Sequence, residues 1–519
     1  MRCSTTASFV GKHITTMNPQ SASGSRLGLM ALVALSLTAI NVSSQPASAK
    51  LMFEPYLLES AGKQKAQAEL GRLLVPEKHS KPGGKQIELA LVRLKSTATN
   101  PGPPIVYLAG GPGGSGIALA RGPRFPLFMA MREFADVIAL DQRGTGMSRP
   151  NLICDVTLDY PLDQPGERGR LLSMYEQRAR ICAEHWRTQG VDLSAYNTEE
   201  NADDLESLRQ ALGVEKITIW GSSYGSHLGL AALRRHGNSI HRAILSGIEG
   251  PDHTLKLPSQ IQRQLQFVCE LAKDDAKINK QIPDLMPLVQ EVLRKLDKEP
   301  ARVQLNDATA GKGQIIAIGK FDLQQITFSL LGTREGKARI PALYHSLAVG
   351  DFSSLSVQSA AGDLFGMRTS SVGSAMAFAM DCSSGASAER RARIQREAAG
   401  TVLGGDVDFP VPDICPAWQI PELPASFRAP LRSTVPTLFI SGTFDGRTPP
   451  ENVEEIMKGF PTGQHVIIEG AGHGNELFTS SPQIQEVMVE FMKTVTVSRR
   501  TIQLPRLEFK PLVSTDRKE

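Results

Sequence analysis

The chain has 519 residues, 41% apolar and 21% charged, enough for one large core with a sizeable insertion or for two or three ordinary domains, and wholesale disorder is not expected. The formal charge of +4 falls to near balance without residues 1–49, which hold Arg2, Lys12 and Arg26 and no acid, leaving 54 basic against 53 acidic residues. That balance argues against a nucleic-acid partner and against polybasic attachment to a membrane.

Residues 1–49 follow the order of an export signal. Arg26 precedes an apolar run from Leu27 to Ile40, and Ala47-Ser48-Ala49 supplies small residues for cleavage after Ala49. The run is short for a bilayer span, and Met17 is an alternative start. The expectation is a secreted or periplasmic protein with no stable membrane insertion once the leader is removed.

Past the leader, short apolar runs bounded by turn residues read as strands at 87–94, 105–108, 137–140, 217–220, 243–245, 437–440 and 465–468. Helical patterning lies between several of them, clearest at Ala202, Leu205, Leu208 and Leu212, with Gly213 as the stop. Strands alternating with helices imply an α/β fold with a mainly parallel sheet flanked by helices. The gap of about 190 residues between 245 and 437 exceeds what one crossover helix needs. Helical periodicity over 258–296 and again over 321–347 predicts a mostly helical cap there. The organisation expected is a leader at 1–49, core at 50–250, helical cap and connecting segment at 251–425, core again at 426–496, and a peripheral tail at 497–519.

The first chemical motif is the loop Ala109-Gly110-Gly111-Pro112-Gly113-Gly114-Ser115-Gly116, which follows a strand. Its G-x-G-x-x-G spacing, with Asp141 ending the next strand, admits a dinucleotide-binding protein as a remote alternative. A lone fingerprint of this kind is weak, and it leaves the residues that follow without a purpose.

Gly221-Ser222-Ser223-Tyr224-Gly225 directly follows the strand at 217–220 and precedes the helical run from Leu228 to Arg235, the strand-turn-helix setting of a nucleophile elbow. Serine is a weak nucleophile at its ordinary pKa, so a base and an orienting acid are required later in the chain. Asp445 follows the strand at 437–440 and His473 follows the strand at 465–468, each between small residues, and the order Ser, Asp, His suits such a fold. Asp381 and Asp406 are weaker candidates for the acid, and His227, His236 and His241 lack a comparable setting. Donors for a developing oxyanion are expected from the backbone N–H of Tyr224 and of Gly111, with Gly110 as fallback. A catalytically dead binding module on the same scaffold is disfavoured by the intact set. No metal or organic cofactor is expected.

Without Cys3, five cysteines remain and none forms a C-x-x-C pair. Sequence-local pairing in Gly/Pro/Ser-rich surroundings favours Cys154 with Cys182 and Cys382 with Cys415, leaving Cys269 as a buried free thiol, although spacing alone leaves the connectivity open.

Together, the Gly-Gly-Pro-Gly-Gly loop at 110–114, Asp141-Gln142-Arg143-Gly144-Thr145-Gly146-Met147-Ser148, the elbow, and the segments at 442–449 and 472–474 resemble the prolyl iminopeptidase and tripeptidyl aminopeptidase branch of the α/β-hydrolases. The region of Cys382 and Cys415-Pro416-Ala417-Trp418 is similar to the carboxy-terminal domain of tripeptidyl aminopeptidase-like members. Prolyl iminopeptidases usually carry His where this chain has Ala109, which favours the tripeptidyl aminopeptidase-like side. The cap, at 251–375, carries no matching motif.

The resemblance implies an exported serine peptidase acting on peptide N-termini through an acyl-enzyme, with an esterase or lipase-like hydrolase as the alternative on the same residues. Its substrate is then a peptide or a small ester. Asp141 and Arg143 are expected to fix the loop as a buried pair rather than to touch substrate. An enzyme of this kind needs a carboxylate for the substrate's α-ammonium, and Glu249, just past the strand at 243–245, is the candidate.

Overall fold

The computed structural model describes residues 50–305, 314–351, 368 and 371–512. The export signal expected at 1–49 lies outside the described residues. Among them, no helix is long and apolar enough to cross a membrane.

A ten-stranded sheet in the order β1-β2-β3-β5-β4-β7-β8-β12-β13-β14 forms the centre. Its strands are β1 (Leu51–Glu59), β2 (Lys65–Pro76), β3 (Gln86–Leu94), β4 (Ile105–Leu108), β5 (Val137–Asp141), β7 (Ile217–Ser222), β8 (Ile240–Ser246), β12 (Thr437–Gly442), β13 (Gln464–Glu469) and β14 (Thr501–Gln503). The central strands β4, β5, β7 and β12 are buried at every position, as apolar runs covered on both faces must be. Side chains alternate between the faces. Val106 and Leu108 pack with Leu205, Leu208 and Leu228, whereas Ile105 and Tyr107 pack with Phe125, Phe128 and Val487.

On the first face lie α3 (Arg168–Thr188), α4 (Thr198–Ala211) and α5 (Tyr224–His236). On the second lie α1 (Gly116–Arg121), α2 (Phe125–Met131) and the helix Pro482–Thr494. The parallel part of the sheet runs from β5 to β14, and β1, β2 and β3 extend it by antiparallel pairing. The hairpin β1–β2 goes beyond the strands expected from sequence. Its alternation of buried and exposed positions along β2 is that of a sheet with one wet face.

The cap is mostly helical, as its periodicity predicts. The helices Pro258–Lys273, Leu285–Lys298, Lys320–Leu330 and Arg334–Ala348 share one apolar cluster with the hairpin of β9 (Ala301–Leu305) and β10 (Gln314–Ile318). Two boundaries differ from expectation. Residues 371–384 belong to the core side: β11 (Ser371–Ser374) pairs with β6 (Ile153–Thr157), and Met376 and Met380 of the next helix join the cluster that holds Leu228. The segment expected as a peripheral tail supplies edge strand β14 and buries Ile502, Leu504 and Leu507. Disulfides join Cys154 to Cys182 and Cys382 to Cys415, and Cys269 is a half-buried free thiol whose pKa burial pushes up to about 12.

Candidate active site

Ser223 sits between β7 and α5 with φ 55°, a left-handed conformation that few non-glycine residues adopt. Its flanking glycines are required by contact. A Cβ at Gly225 would collide with the carbonyl oxygen of Leu108, and one at Gly221 with that of Gly225. The tight turn lifts the hydroxyl above the C-terminal ends of the parallel strands, where β12 delivers Asp445 and β13 delivers His473.

These three side chains form one hydrogen-bonded run. His473 Nε2 is 3.0 Å from Ser223 Oγ, and His473 Nδ1 is 2.8 Å from Asp445 Oδ2. With Nδ1 protonated, the ring donates to the carboxylate and Nε2 accepts from the serine hydroxyl. Asp445 is fully buried. Burial alone would raise its carboxyl pKa, but the charge of His473 and hydrogen bonds from His473 and Thr448 outweigh that and hold it below the usual range. The backbone N–H groups of Arg447 and Thr448 both donate to Asp445 Oδ1 at 2.8 Å, and Thr448 Oγ1 donates to Oδ2 at 2.8 Å.

The histidine loop is held from the cap. His473 N–H donates to the carbonyl of Gly332 at 2.7 Å, and Glu476 bridges the N–H groups of Gly472 and Arg334 at 2.7 and 3.0 Å. Thr448, Glu476 and the turn at 331–334 are thus site residues beyond those expected. Thr448, three residues past Asp445, is findable as a local hydroxyl. The contacts from 331–334 cross more than a hundred residues of chain and leave no local pattern.

Ser223 and His473 open into a cavity of about 520 Å³ lined also by Gly110, Gly111, Arg124, Glu249, Lys256 and Arg447. Two larger grooves elsewhere include neither Ser223 nor His473. Gly110 lies so close to the elbow that a Cβ there would fall 2.7 Å from Ser222 O and from Ser223 Cβ. The N–H groups of Gly111 and Tyr224 have no acceptor among the described residues, and Gly111 lines the cavity. Tyr224 N–H is the first of its helix, where no intrahelical acceptor exists.

Glu249 is 6% exposed and belongs to a charged group with Lys256, Asp381 and Asp408. Burial pushes Lys256 down, but the charges of Asp408, Glu249 and Asp381 outweigh it and hold Lys256 above the usual lysine range. Asp381 has its carboxyl pushed up to about 8 by burial and by the charge of Glu249. It lies with this group and not on His473, and Asp406 pairs with Arg168.

Asp141 and Arg143 are both buried, but they do not pair with each other. Asp141 accepts from Ser115 Oγ at 2.6 Å and from the N–H groups of Ile117 and Met147 at 3.0 and 2.7 Å, fixing the glycine loop. Arg143 donates twice to Asp204, at 2.8 and 2.7 Å. The partner lies on α4, which local sequence cannot reveal. The fully buried Asp141 therefore has no reach to a nucleotide ribose. His227 is buried against Gly250 O and Ser384, His236 meets Asp203, and His241 meets Arg242. Among the described residues, no group of three or more His, Cys, Asp or Glu is placed to hold a metal.

Comparison with known proteins agrees with this architecture. Residues 103–280 match the model of the alpha/beta hydrolase fold, and residues 405–503 match that of TAP-like proteins. Serine protease Hip1 of Mycobacterium tuberculosis is 33% identical over 190 residues, covering 35% of this chain and 36% of that protein. A tripeptidyl aminopeptidase of Streptomyces coelicolor is 28% identical over 200 residues, covering 35% of each. Carboxylesterase B of M. tuberculosis is 26% identical over 270 residues, covering 47% of this chain and 51% of that protein. The matches thus span about a third to a half of these relatives. With the strand order, the elbow turn and the two matched regions in agreement, the chain belongs to the α/β-hydrolase family and carries a TAP-like carboxy-terminal region.

Proposed function

We propose that this chain is an exported serine hydrolase that cleaves at the free N-terminus of peptides through an acyl-enzyme on Ser223. The observation that carries the reading is the run Asp445–His473–Ser223, with contacts of 2.8 and 3.0 Å. His473 Nε2 takes the hydroxyl proton while Ser223 Oγ bonds to the carbonyl carbon. The oxyanion is held by the N–H groups of Gly111 and Tyr224. Collapse breaks the C–N bond, the amine leaves with the proton from His473, and water repeats the sequence to release the acyl part. Asp445 stays ionised and steadies the imidazolium. The two disulfides support an oxidising compartment.

Replacing Ser223 by Ala should lower kcat by roughly five orders of magnitude and abolish fluorophosphonate labelling, while circular dichroism stays native. Retention of activity would end the reading. Glu249 is the proposed anchor for the α-ammonium, supported by its burial beside Ser223 in the same cavity. Glu249→Gln should reduce the preference for free over N-acetylated peptides by about tenfold. An unchanged preference would place the anchor elsewhere.

A second reading, carboxylic ester hydrolysis, is favoured by the match to a carboxylesterase. A panel of aminoacyl, tripeptidyl and short-chain ester chromogenic substrates separates the two.

A further inference from the structure

The cavity beside Ser223 contains a buried cation that meets no carboxylate among the described residues. Arg124 is 4% exposed and lines the cavity together with Ser223, His473 and Gly474. Its Nε donates to Asn475 Oδ1 at 2.9 Å, its Nη1 donates to the Tyr107 hydroxyl, and its guanidinium carbon lies 4.0 Å from the centre of the Phe478 ring. None of these partners is negatively charged. Tyr107 is fully buried, and burial pushes its phenol pKa up, so it stays protonated. Burial also lowers the pKa of Arg124, and Tyr107 supplies what opposes this, with no carboxylate contributing. Nη2 has no hydrogen-bond acceptor among the described residues, yet it is not sealed in the protein. Arg124 is one of the residues that line the cavity.

Two other buried cations of this chain find their anion within the fold. Arg143 and Arg368, both fully buried, each meet a fully buried carboxylate, Asp204 and Asp322. Lys256, which also lines the cavity, has Asp408 at 3.6 Å. A guanidinium withdrawn from water is costly unless an anion compensates it, and a planar pair of donors suits a carboxylate. A carboxylate on a bound ligand would supply the anion that Arg124 lacks among the described residues.

The position of Arg124 indicates which part of the ligand brings it. Asn475, its partner, is two residues past His473, and His473 must pass its proton to the leaving group. Glu249 and Lys256 form a separate charged group. We propose that Arg124 is a specificity-determining residue that binds a carboxylate on the leaving-group side, so that the preferred substrates are short peptides whose departing part ends in a free carboxylate. The inference rests on the hydrolase reading of the Ser223 site and deepens it.

The test compares Ala-Ala-Ala-Ala bearing a free carboxylate with its C-terminal amide, and with Ala-Ala-Ala-Glu amide, which carries the carboxylate on a side chain. Affinities are measured calorimetrically on the Ser223→Ala protein, and turnover is measured on the enzyme with Ser223 intact. The peptide acid should bind at least about tenfold tighter than the amide, with the same preference in kcat/KM. Adding Arg124→Met should bring the acid-to-amide ratio to about one, and Arg124→Lys should retain part of it. A purely structural role would weaken both ligands together and leave the ratio unchanged. If the Glu-containing amide matches the acid, the side chain is a second source of the same carboxylate. Equal binding of acid and amide by the protein with Arg124 intact overturns the proposal without need of a variant at Arg124. Absence of Ser223-dependent turnover, with the binding preference present, would overturn the hydrolase reading and leave the carboxylate site standing.

Discussion

Lys337 shows how the site is supported by groups that never touch a ligand. Its side chain is fully buried, its ammonium donates to the carbonyl of Leu331, and burial lowers its pKa to about 7 despite the opposing charges of Asp445 and Glu476. A base whose folded pKa is depressed binds fewer protons in the folded than in the unfolded chain across the interval between the two values. Stability therefore rises with pH through that interval, and the penalty is complete below about 7. Lys337→Met should accordingly raise Tm relative to the parent more at pH 6 than at pH 10. A Tm difference that does not shrink with rising pH would show that the amine is not the source of the penalty. At this scale the sequence was informative about Ser223, Asp445 and His473, because strand ends and glycine-bounded turns are local signals. It was uninformative about Lys337, whose burial depends on packing between the cap and the loop of Asp445.

Among elements, the helix Ala375–Ser384 has the least obvious part in the architecture. Met380 accepts from the Tyr224 hydroxyl at 2.9 Å, Ser384 reaches His227 at 3.2 Å, and Cys382 ties the helix to Cys415 across a separation of 33 residues. The bridge thus fastens the segment that lies under the elbow helix. Closing a loop of that length is worth about 4 kcal/mol. Replacing both Cys382 and Cys415 by Ala should lower stability by about that amount in urea titration, while kcat/KM at 25 °C changes less than about threefold. A large loss of turnover with little change in the urea midpoint would mean that the bridge serves the chemistry directly. The cap turn at 331–334 is the complementary case. It belongs to the inserted helices yet provides the acceptor for His473 N–H, so cap and core are one mechanical unit at the site.

For the molecule as a whole, the ends of the described chain matter as much as its middle. Strand β14 closes one edge of the sheet, and Arg334 donates to the carbonyls of Pro505 and Arg506 just beyond it. Burying Ile502, Leu504 and Leu507 contributes on the order of 5 kcal/mol, so a chain ending at Ser498 should melt far below the parent chain. A Tm within about 2 °C of the parent would show that the edge strand contributes nothing. From local order alone came the central strands, the helical cap and the elbow, because apolar runs buried on two faces and glycine-bounded turns are short-range patterns. Tertiary structure alone decided three further features. The hairpin β1–β2 and the three-residue β14 gain their stability from the neighbouring strand, which their own residues do not specify. Arg143 finds Asp204 rather than Asp141 because buried charges pair by proximity in space. Arg124 acquires its meaning only when α2, β4 and the loop after His473 meet, since a cation is unremarkable in a sequence and costly once folding removes its water.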